Sequence, residues 1–218
     1  FLQSYGITTT NALKIYKQYG SNTVNVVREN PYRLADDITG IGFKTADRIA
    51  NSLGVDSNSP YRAAAGIRYM LCQAAAEGHT FLPREELLGK ANKLLSVDDS
   101  LLENALMNLA LSHSIVMEQA EEFTAVYLAG LYRAEATTAR MLRDLVIGSK
   151  IKQFNNSEEK IKQFEHNNQI CLAEQQREAV RCAVQHGVIV ITGGPGTGKT
   201  TTINCIIELL AQEGLKVE

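Results

Sequence analysis

The residues with the clearest chemistry are Gly193-Gly194-Pro195-Gly196-Thr197-Gly198-Lys199-Thr200, which fit the spacing G-x-x-x-x-G-K-[ST]. Glycines allow a backbone to wrap closely around a phosphate, whose charge is met by N–H groups at a helix start. A lysine then supplies a point charge and a hydroxyl a ligand for Mg²⁺. On this reading Gly193, Gly194, Gly196, Thr197, Gly198 and Thr201 shape the phosphate cradle, and Lys199 and Thr200 carry the catalytic contacts, with Thr200 on the metal. The flanks agree with the motif. Val188-Ile189-Val190-Ile191 reads as a buried parallel strand, and Ile203, Ile206, Ile207 and Leu210 recur at helical spacing. The chain ends at Glu218, 18 residues beyond Thr200. Strand and helix are therefore expected to lack the neighbours that a parallel sheet supplies.

The elements that precede this loop begin with an internal repeat. A shift of 34 residues brings Gly6-Ile7 onto Gly40-Ile41, Ala12 onto Ala46, Lys14 onto Arg48, Ile15 onto Ile49 and Gly20 onto Gly54. The second copy, Ile38-Thr39-Gly40-Ile41-Gly42-Phe43-Lys44-Thr45-Ala46-Asp47-Arg48-Ile49, resembles the helix-hairpin-helix motif, in which a G-h-G turn joins two short helices. The resemblance implies that amides at the second helix start face a DNA phosphate, and such a contact reads backbone rather than base sequence. The DNA-contact candidates are Gly40, Ile41, Gly42, Phe43 and Lys44, with Gly6 and Thr8 in the first copy. Thr8 stands where the second glycine should be. A β-branched residue resists positive φ, so the first copy is expected to be the weaker contact.

From Tyr61 to Glu77 the chain reads as a helix stopped by Gly78, followed by a short extended piece, His79 to Leu82, and a helix opened by Pro83. Ser100-Leu101-Leu102-Glu103 has the pattern of a capping box at a third helix. Ile115-Val116-Met117 and Phe123 to Leu128 read as two strands around an acidic turn. Three helices and a hairpin in this order suggest a winged helix. Asp98, Asp99 and Glu103 crowd its third helix, and no Lys or Arg lies between Leu94 and Tyr132, so a structural or protein-facing role is favoured over groove binding. Leu131 to Val146 reads as an amphipathic helix bearing Arg133, Arg140 and Arg143. The polar stretch Ser149 to Gln169, which repeats Lys-Ile-Lys-Gln-Phe at 150–154 and 160–164, reads as a linker with helical tendency.

These elements divide 218 residues into 1–59, tandem helix-hairpin-helix; 60–130, a winged-helix-like domain; 131–170, helix and linker; and 171–218, the start of an ATPase domain. The expected fold class is mainly α and multidomain, with the first β-α unit of a P-loop RecA-like α/β domain at its end. A hydrophobic content of 44% suffices for real cores, and no apolar run approaches a membrane span, so a cytoplasmic protein is expected with no membrane partner. The four cysteines form no C-x-x-C pair, and His79 and His113 stand at element boundaries, so no zinc site is expected. A net charge of −2 means that any DNA contact must come from local geometry.

Leu172 to Val180 opens a helix ahead of the strand and loop, and Gln176 within it resembles the Q-motif of superfamily 1 helicases. Together with the tandem hairpins, the winged element, Gly78-His79-Thr80 and Tyr132-Arg133-Ala134-Glu135, the whole chain resembles the RecD/TraA family of bacterial DNA helicases. The resemblance implies ATP and Mg²⁺ as cofactors, with Gln176 on the adenine edge, which a side-chain amide suits because it donates and accepts at once. It also implies 5′-to-3′ DNA unwinding in repair or recombination, and single-stranded-DNA-binding or recombination proteins as further partners. The residues that orient water and supply arginines would lie beyond Glu218, so this segment by itself is expected not to hydrolyse ATP. Two alternatives stand beside this reading: a non-catalytic DNA-junction-binding module with a regulatory P-loop, and another kind of P-loop DNA motor.

Overall fold

The computed structural model describes residues 2, 5, 7–148 and 156–216, and the chain forms two compact units, Phe1–Glu135 and Ala136–Glu218. The first unit opens with α1 (Thr9–Tyr19), a 3-10 turn (Gly20–Asn22), α2 (Thr23–Glu29), α3 (Arg33–Asp37) and α4 (Phe43–Ser52). The 34-residue repeat explains how these helices pack. Ile7 and Ile41, and Ile15 and Ile49, are repeat equivalents, and all four are buried in one core with Val27, Leu34 and Ile38. Each copy therefore supplies the apolar face that covers the other. Burial of each such isoleucine contributes about 1.5–3 kcal/mol, so neither hairpin stands alone.

Next come α5 (Pro60–Ala76), β1 (Phe81–Pro83), α6 (Arg84–Leu95), α7 (Asp99–Leu111), β2 (Ile115–Gln119) and β3 (Thr124–Leu128). The strands form an antiparallel sheet in the order β1-β3-β2, with Phe81 opposite Tyr127 and Met117 opposite Val126. This is the helix and wing order expected from the sequence, with Pro60 at the first turn of α5. Two local expectations are corrected. The cap of α7 is Asp98, and Glu103 forms no capping box with Ser100 but pairs with Arg84, tying α7 to α6. Pro83 ends β1 and precedes α6 instead of lying inside its first turn.

A polar joint links the repeats to α5 and α6. Asp47 on α4 accepts from Tyr32 Oη at 2.7 Å and from Arg62 Nε at 2.8 Å, while Arg62 Nη1 donates to the carbonyl of Leu95 at 3.0 Å. Burial and the Asp47 carboxylate both raise the Tyr32 hydroxyl pKa, and Phe43 stacks on Tyr32 and Tyr69.

The helix α8 (Ala129–Gly148) follows; none of its side chains is buried, and Arg133, Arg140 and Arg143 are exposed. The second unit is built from α9 (Ser157–Asn168), α10 (Glu174–Gln185) and α11 (Lys199–Gln212). Part of the stretch read as a linker thus forms a packed helix. Ile161 and Phe164 of α9 are buried against Val180, Cys205 and Leu209, and Glu158 and Glu165 pair with Arg177 and Arg181 of α10. The i, i+3 spacing of Ile161 and Phe164 was the available signal. The first Lys-Ile-Lys-Gln-Phe copy, at 150–154, lies outside the described residues.

The run Val188 to Ile191 forms no strand, and Val190 is 82% exposed. With no adjacent strand among the described residues, its amides have no ladder to join. For the same reason α11 is turned from the expected face: Thr202, Cys205, Ile206 and Leu209 are buried, whereas Ile203 and Ile207 face outward.

Replacing Asp47 with alanine leaves the Arg62 guanidinium and the Tyr32 hydroxyl without their common acceptor, at an expected cost of about 2–4 kcal/mol. Tyr32→Phe keeps the ion pair and is expected to cost about 1 kcal/mol. Urea denaturation of both variants checks this order; equal losses would show that the Arg62–Asp47 pair contributes nothing to the joint.

Candidate functional site

Two helix starts carry the candidate chemistry, one in each unit. In the first unit the chain turns at Gly40, whose φ of +96° is a conformation for glycine, and the Ile41 amide closes the turn on the carbonyl of Ile38 at 3.1 Å. Gly42 is then the N-cap of α4, with φ −94° and no side-chain cap. Among the described residues nothing accepts from the amides of Gly42, Phe43 and Lys44. A Cβ placed on Gly42 would meet no atom within 4 Å. Neither backbone strain nor packing demands glycine there. Ile41 and Phe43 are themselves buried, and only their backbone can reach a ligand, whereas the Lys44 side chain is exposed.

The first copy differs in kind. Thr8 is the N-cap of α1, with φ −62°, and its Oγ1 accepts from the Asn11 amide at 3.4 Å. The expected conflict between a β-branched residue and positive φ does not arise, because Thr8 and Gly42 both have negative φ. What separates the copies is that Thr8 shields and occupies its own helix start. Gly6 lies outside the described residues.

In the second unit the phosphate loop has the backbone that its glycines allow. Gly196 and Gly198 have φ of +76° and +77°. A Cβ on Gly193 would stand 2.6 Å from Thr197 Oγ1, and one on Gly198 would stand 2.3 Å from Gln176 Nε2. Gly198 is the N-cap of α11, again without a side-chain cap. Lys199 Nζ donates to the carbonyls of Gly193 and Gly194, each at 2.7 Å, and Thr197 Oγ1 donates to Gly194 at 2.9 Å. The lysine therefore stands inside the curve that a phosphate would fill. Thr200 is exposed at the helix start, and Thr201 is half-buried beside it.

Gln176 is joined to this loop. Its Oε1 accepts from the Ala173 amide at 2.9 Å, and its Nε2 donates to the carbonyl of Thr197 at 3.1 Å. Gln176, Ala179, Ile191, Gly193, Thr197 and Lys199 line one cleft of about 170 Å³. Both halves of the amide are in use, so an adenine edge would have to exchange for one of these bonds. The loop glycines and the lysine fit a nucleotide phosphate. For Mg²⁺ this segment offers the Thr200 hydroxyl; among the described residues no group of three His, Cys, Asp or Glu side chains could hold a metal. Cys205, on the buried face of α11, has its thiol pushed up to about 11 by burial and does not line the cleft.

Sequence reasoning passed over Lys14. Its Nζ reaches across the repeat to donate to the carbonyl of Thr39 at 3.0 Å, beside Gly40. The only sequence signal was its equivalence to Arg48.

A glycine-shaped loop opening one helix and a tandem hairpin repeat define a P-loop protein with a helical repeat domain. The comparisons with known proteins agree. A family model described as the ATP-dependent RecD2 DNA helicase HHH domain matches residues 1–81, and one described as an AAA domain matches residues 176–217. The chain is 28% identical to the ATP-dependent RecD2 DNA helicase of Deinococcus radiodurans over 231 residues, 99% of this chain and 31% of that protein. Over 40 residues, 18% of this chain and 7% of the relative, it is 52% identical to the RecBCD enzyme subunit RecD of Mycolicibacterium smegmatis. The corresponding subunit of Mycobacterium tuberculosis is 50% identical over 40 residues. The chain is thus similar to RecD-type DNA helicases, and it spans 31% of the length of the relative it matches from end to end. No helix among the described residues is long and apolar enough to cross a membrane.

Gly198→Ala is expected to abolish nucleotide binding, since it combines left-handed backbone strain of about 1–2 kcal/mol with a clash against Gln176. Adding Gln176→Ala removes the clash but not the strain, and should restore binding only in part. Fluorescent ATP-analogue titration measures both; parent-like affinity in Gly198→Ala would show that the loop tolerates a side chain.

Proposed function

We propose that this chain is the N-terminal portion of an ATP-dependent DNA helicase that moves 5′ to 3′ on single-stranded DNA in repair or recombination. The observation that carries this reading is the shared cleft of Gln176, Thr197 and Lys199, which brings a base-reading amide and a phosphate-binding lysine onto one glycine-shaped loop. ATP is the nucleotide, with Gly193, Gly194, Gly196, Thr197, Gly198, Lys199 and Thr201 around its phosphates. Thr200 would hold Mg²⁺, and the ion would supply charge neutralisation at the transferred phosphoryl group. Lys199 gives up the carbonyls of Gly193 and Gly194 for phosphate oxygens, exchanging neutral acceptors for charged ones.

On the DNA side, the turn Gly40-Ile41 leads to the free amides of Gly42, Phe43 and Lys44, which with the Lys44 cation meet a backbone phosphate without sequence preference. Thr8 makes the first hairpin the lesser contact. Few cations are used, so binding is weak and depends shallowly on salt. The four domains proposed from the sequence place the DNA contact in residues 1–59 and the start of the ATPase in 171–218, and a cytoplasmic location and single-stranded-DNA-binding or recombination partners follow from the same reading. In-line attack on ATP also needs an oriented water and added positive charge, the latter alone being worth about 10³–10⁵ in rate in P-loop enzymes. The unpaired run Val188 to Ile191 supports poor turnover by this segment alone.

Two variants of the full-length protein test the reading separately. Gly42→Val is expected to fold as the parent does and to weaken binding to single-stranded and forked DNA in fluorescence anisotropy; parent-like binding removes this hairpin from the DNA site. Lys199→Ala is expected to abolish DNA-stimulated phosphate release and strand displacement while leaving DNA binding intact. Comparable DNA-stimulated turnover by residues 1–218 alone, abolished by Lys199→Ala, would overturn the proposal that this segment lacks residues needed for hydrolysis.

A further inference from the structure

We infer that Lys14 and Lys17, on a helix of the first repeat, are DNA-phosphate contacts for the hairpin of the second repeat. The inference rests on the DNA-contact reading of Gly40 to Lys44 and extends it to residues outside the motif. Lys14 Nζ donates to the Thr39 carbonyl at 3.0 Å and stands 3.3 Å from where a Cβ on Gly40 would be. An ammonium group has three donors, and Thr39 takes one, so the others remain for an anion. Lys17 lies one turn further along α1 on the same face, exposed and with no acidic partner among the described residues. Between α1 and the turn runs an open cleft of about 300 Å³, lined by Lys14, Lys17, Gln18, Asp37, Ile38 and Thr39.

One carboxylate lies in this cleft, and it is already engaged. Asp37 accepts from Tyr19 Oη at 2.6 Å and pairs with Arg33 at 3.6 Å, so its ion pair is with Arg33 and not with either lysine. The other flank of α4 is different. There a cleft holds Lys44 and Lys90, but Glu77 shares its lining and Glu86 pairs with Lys90 at 2.8 Å. A phosphate backbone that meets the α4 amides is therefore drawn along the Lys14 and Lys17 side. The first repeat thus contributes cations to its partner's hairpin while its own helix start stays occupied by Thr8.

The test is the salt dependence of binding, a readout that a purely structural lysine does not move. Full-length protein carrying Lys14→Gln, Lys17→Gln, both together, Lys14→Arg, Gly42→Val or Lys162→Gln is titrated against a fluorescein-labelled oligothymidine from 50 to 200 mM salt. Each glutamine on α1 is expected to reduce the slope of log K against log salt by about 0.7, and the pair by about 1.4. Lys14→Gln keeps a donor for Thr39, so its melting temperature should match the parent, and Lys14→Arg should keep the parental slope. Unchanged slopes in the two glutamine variants, with Gly42→Val still weakened, overturn this inference and leave the hairpin reading standing. An equal loss of slope in Lys162→Gln also overturns it, because net charge alone would then account for the effect. Parent-like binding by Gly42→Val sinks the hairpin reading and this inference with it.

Discussion

The first N–H groups of an α-helix have no partner within the helix, and everything proposed for this chain depends on how its helix starts resolve that deficit. At α1 the Thr8 hydroxyl supplies an acceptor, and α5 opens on Pro60, which has no N–H to satisfy. At α4 and α11 the cap is glycine, which neither accepts nor shields. Those two starts expose consecutive donors at the positive end of a helix dipole, the arrangement that an anion completes. In a protein of net charge −2 such local donors, with a few lysines beside them, are the available means of holding a polyanion.

The remaining structure holds those donors in place. In the first unit the repeated isoleucines lock the two copies together, and the Asp47 joint fastens α4 to α5 and α6, so the α4 start cannot swing freely. In the second unit the Arg177 and Arg181 network fixes α9 on α10, and Gln176 then ties α10 to the phosphate loop through Thr197. The loop's own lysine fills its curve with two hydrogen bonds to backbone carbonyls. Nucleotide binding, as proposed, exchanges neutral partners for charged ones, and the Gln176 amide is mechanically coupled to the loop through Thr197.

The candidate sites were largely legible because they are made of contiguous residues. The spacing of Gly193 to Thr200 dictates a loop that only glycine backbones permit, and the offset between Ile7 and Ile41 announces a repeat whose copies must cover each other. What escaped the sequence depends on distant partners. Lys14 meets Thr39 across 25 positions, Glu103 turns to Arg84 instead of capping its own helix, and α9 owes its place to Val180 and Leu209. The strand expected at Val188 to Ile191 fails for a complementary reason: a parallel strand exists only in its ladder, and its apolar residues without a neighbour form none. The strain expected at Thr8 was misplaced, because it is the first glycine of the turn, Gly40, that takes positive φ.

The central claim is that α4 and α11 start as anion sites and that α1 does not. Backbone amide NMR of this chain, titrated separately with a short single-stranded oligonucleotide and with ATP and Mg²⁺, tests it most directly. The account predicts that DNA shifts the amide resonances of Gly42, Phe43 and Lys44 while those of Thr9 to Asn11 move little, and that nucleotide shifts those of Gly196 to Thr201. Shifts from DNA as large at Thr9 to Asn11 as at Gly42 to Lys44, or a nucleotide response that spares Gly196 to Thr201, would contradict it.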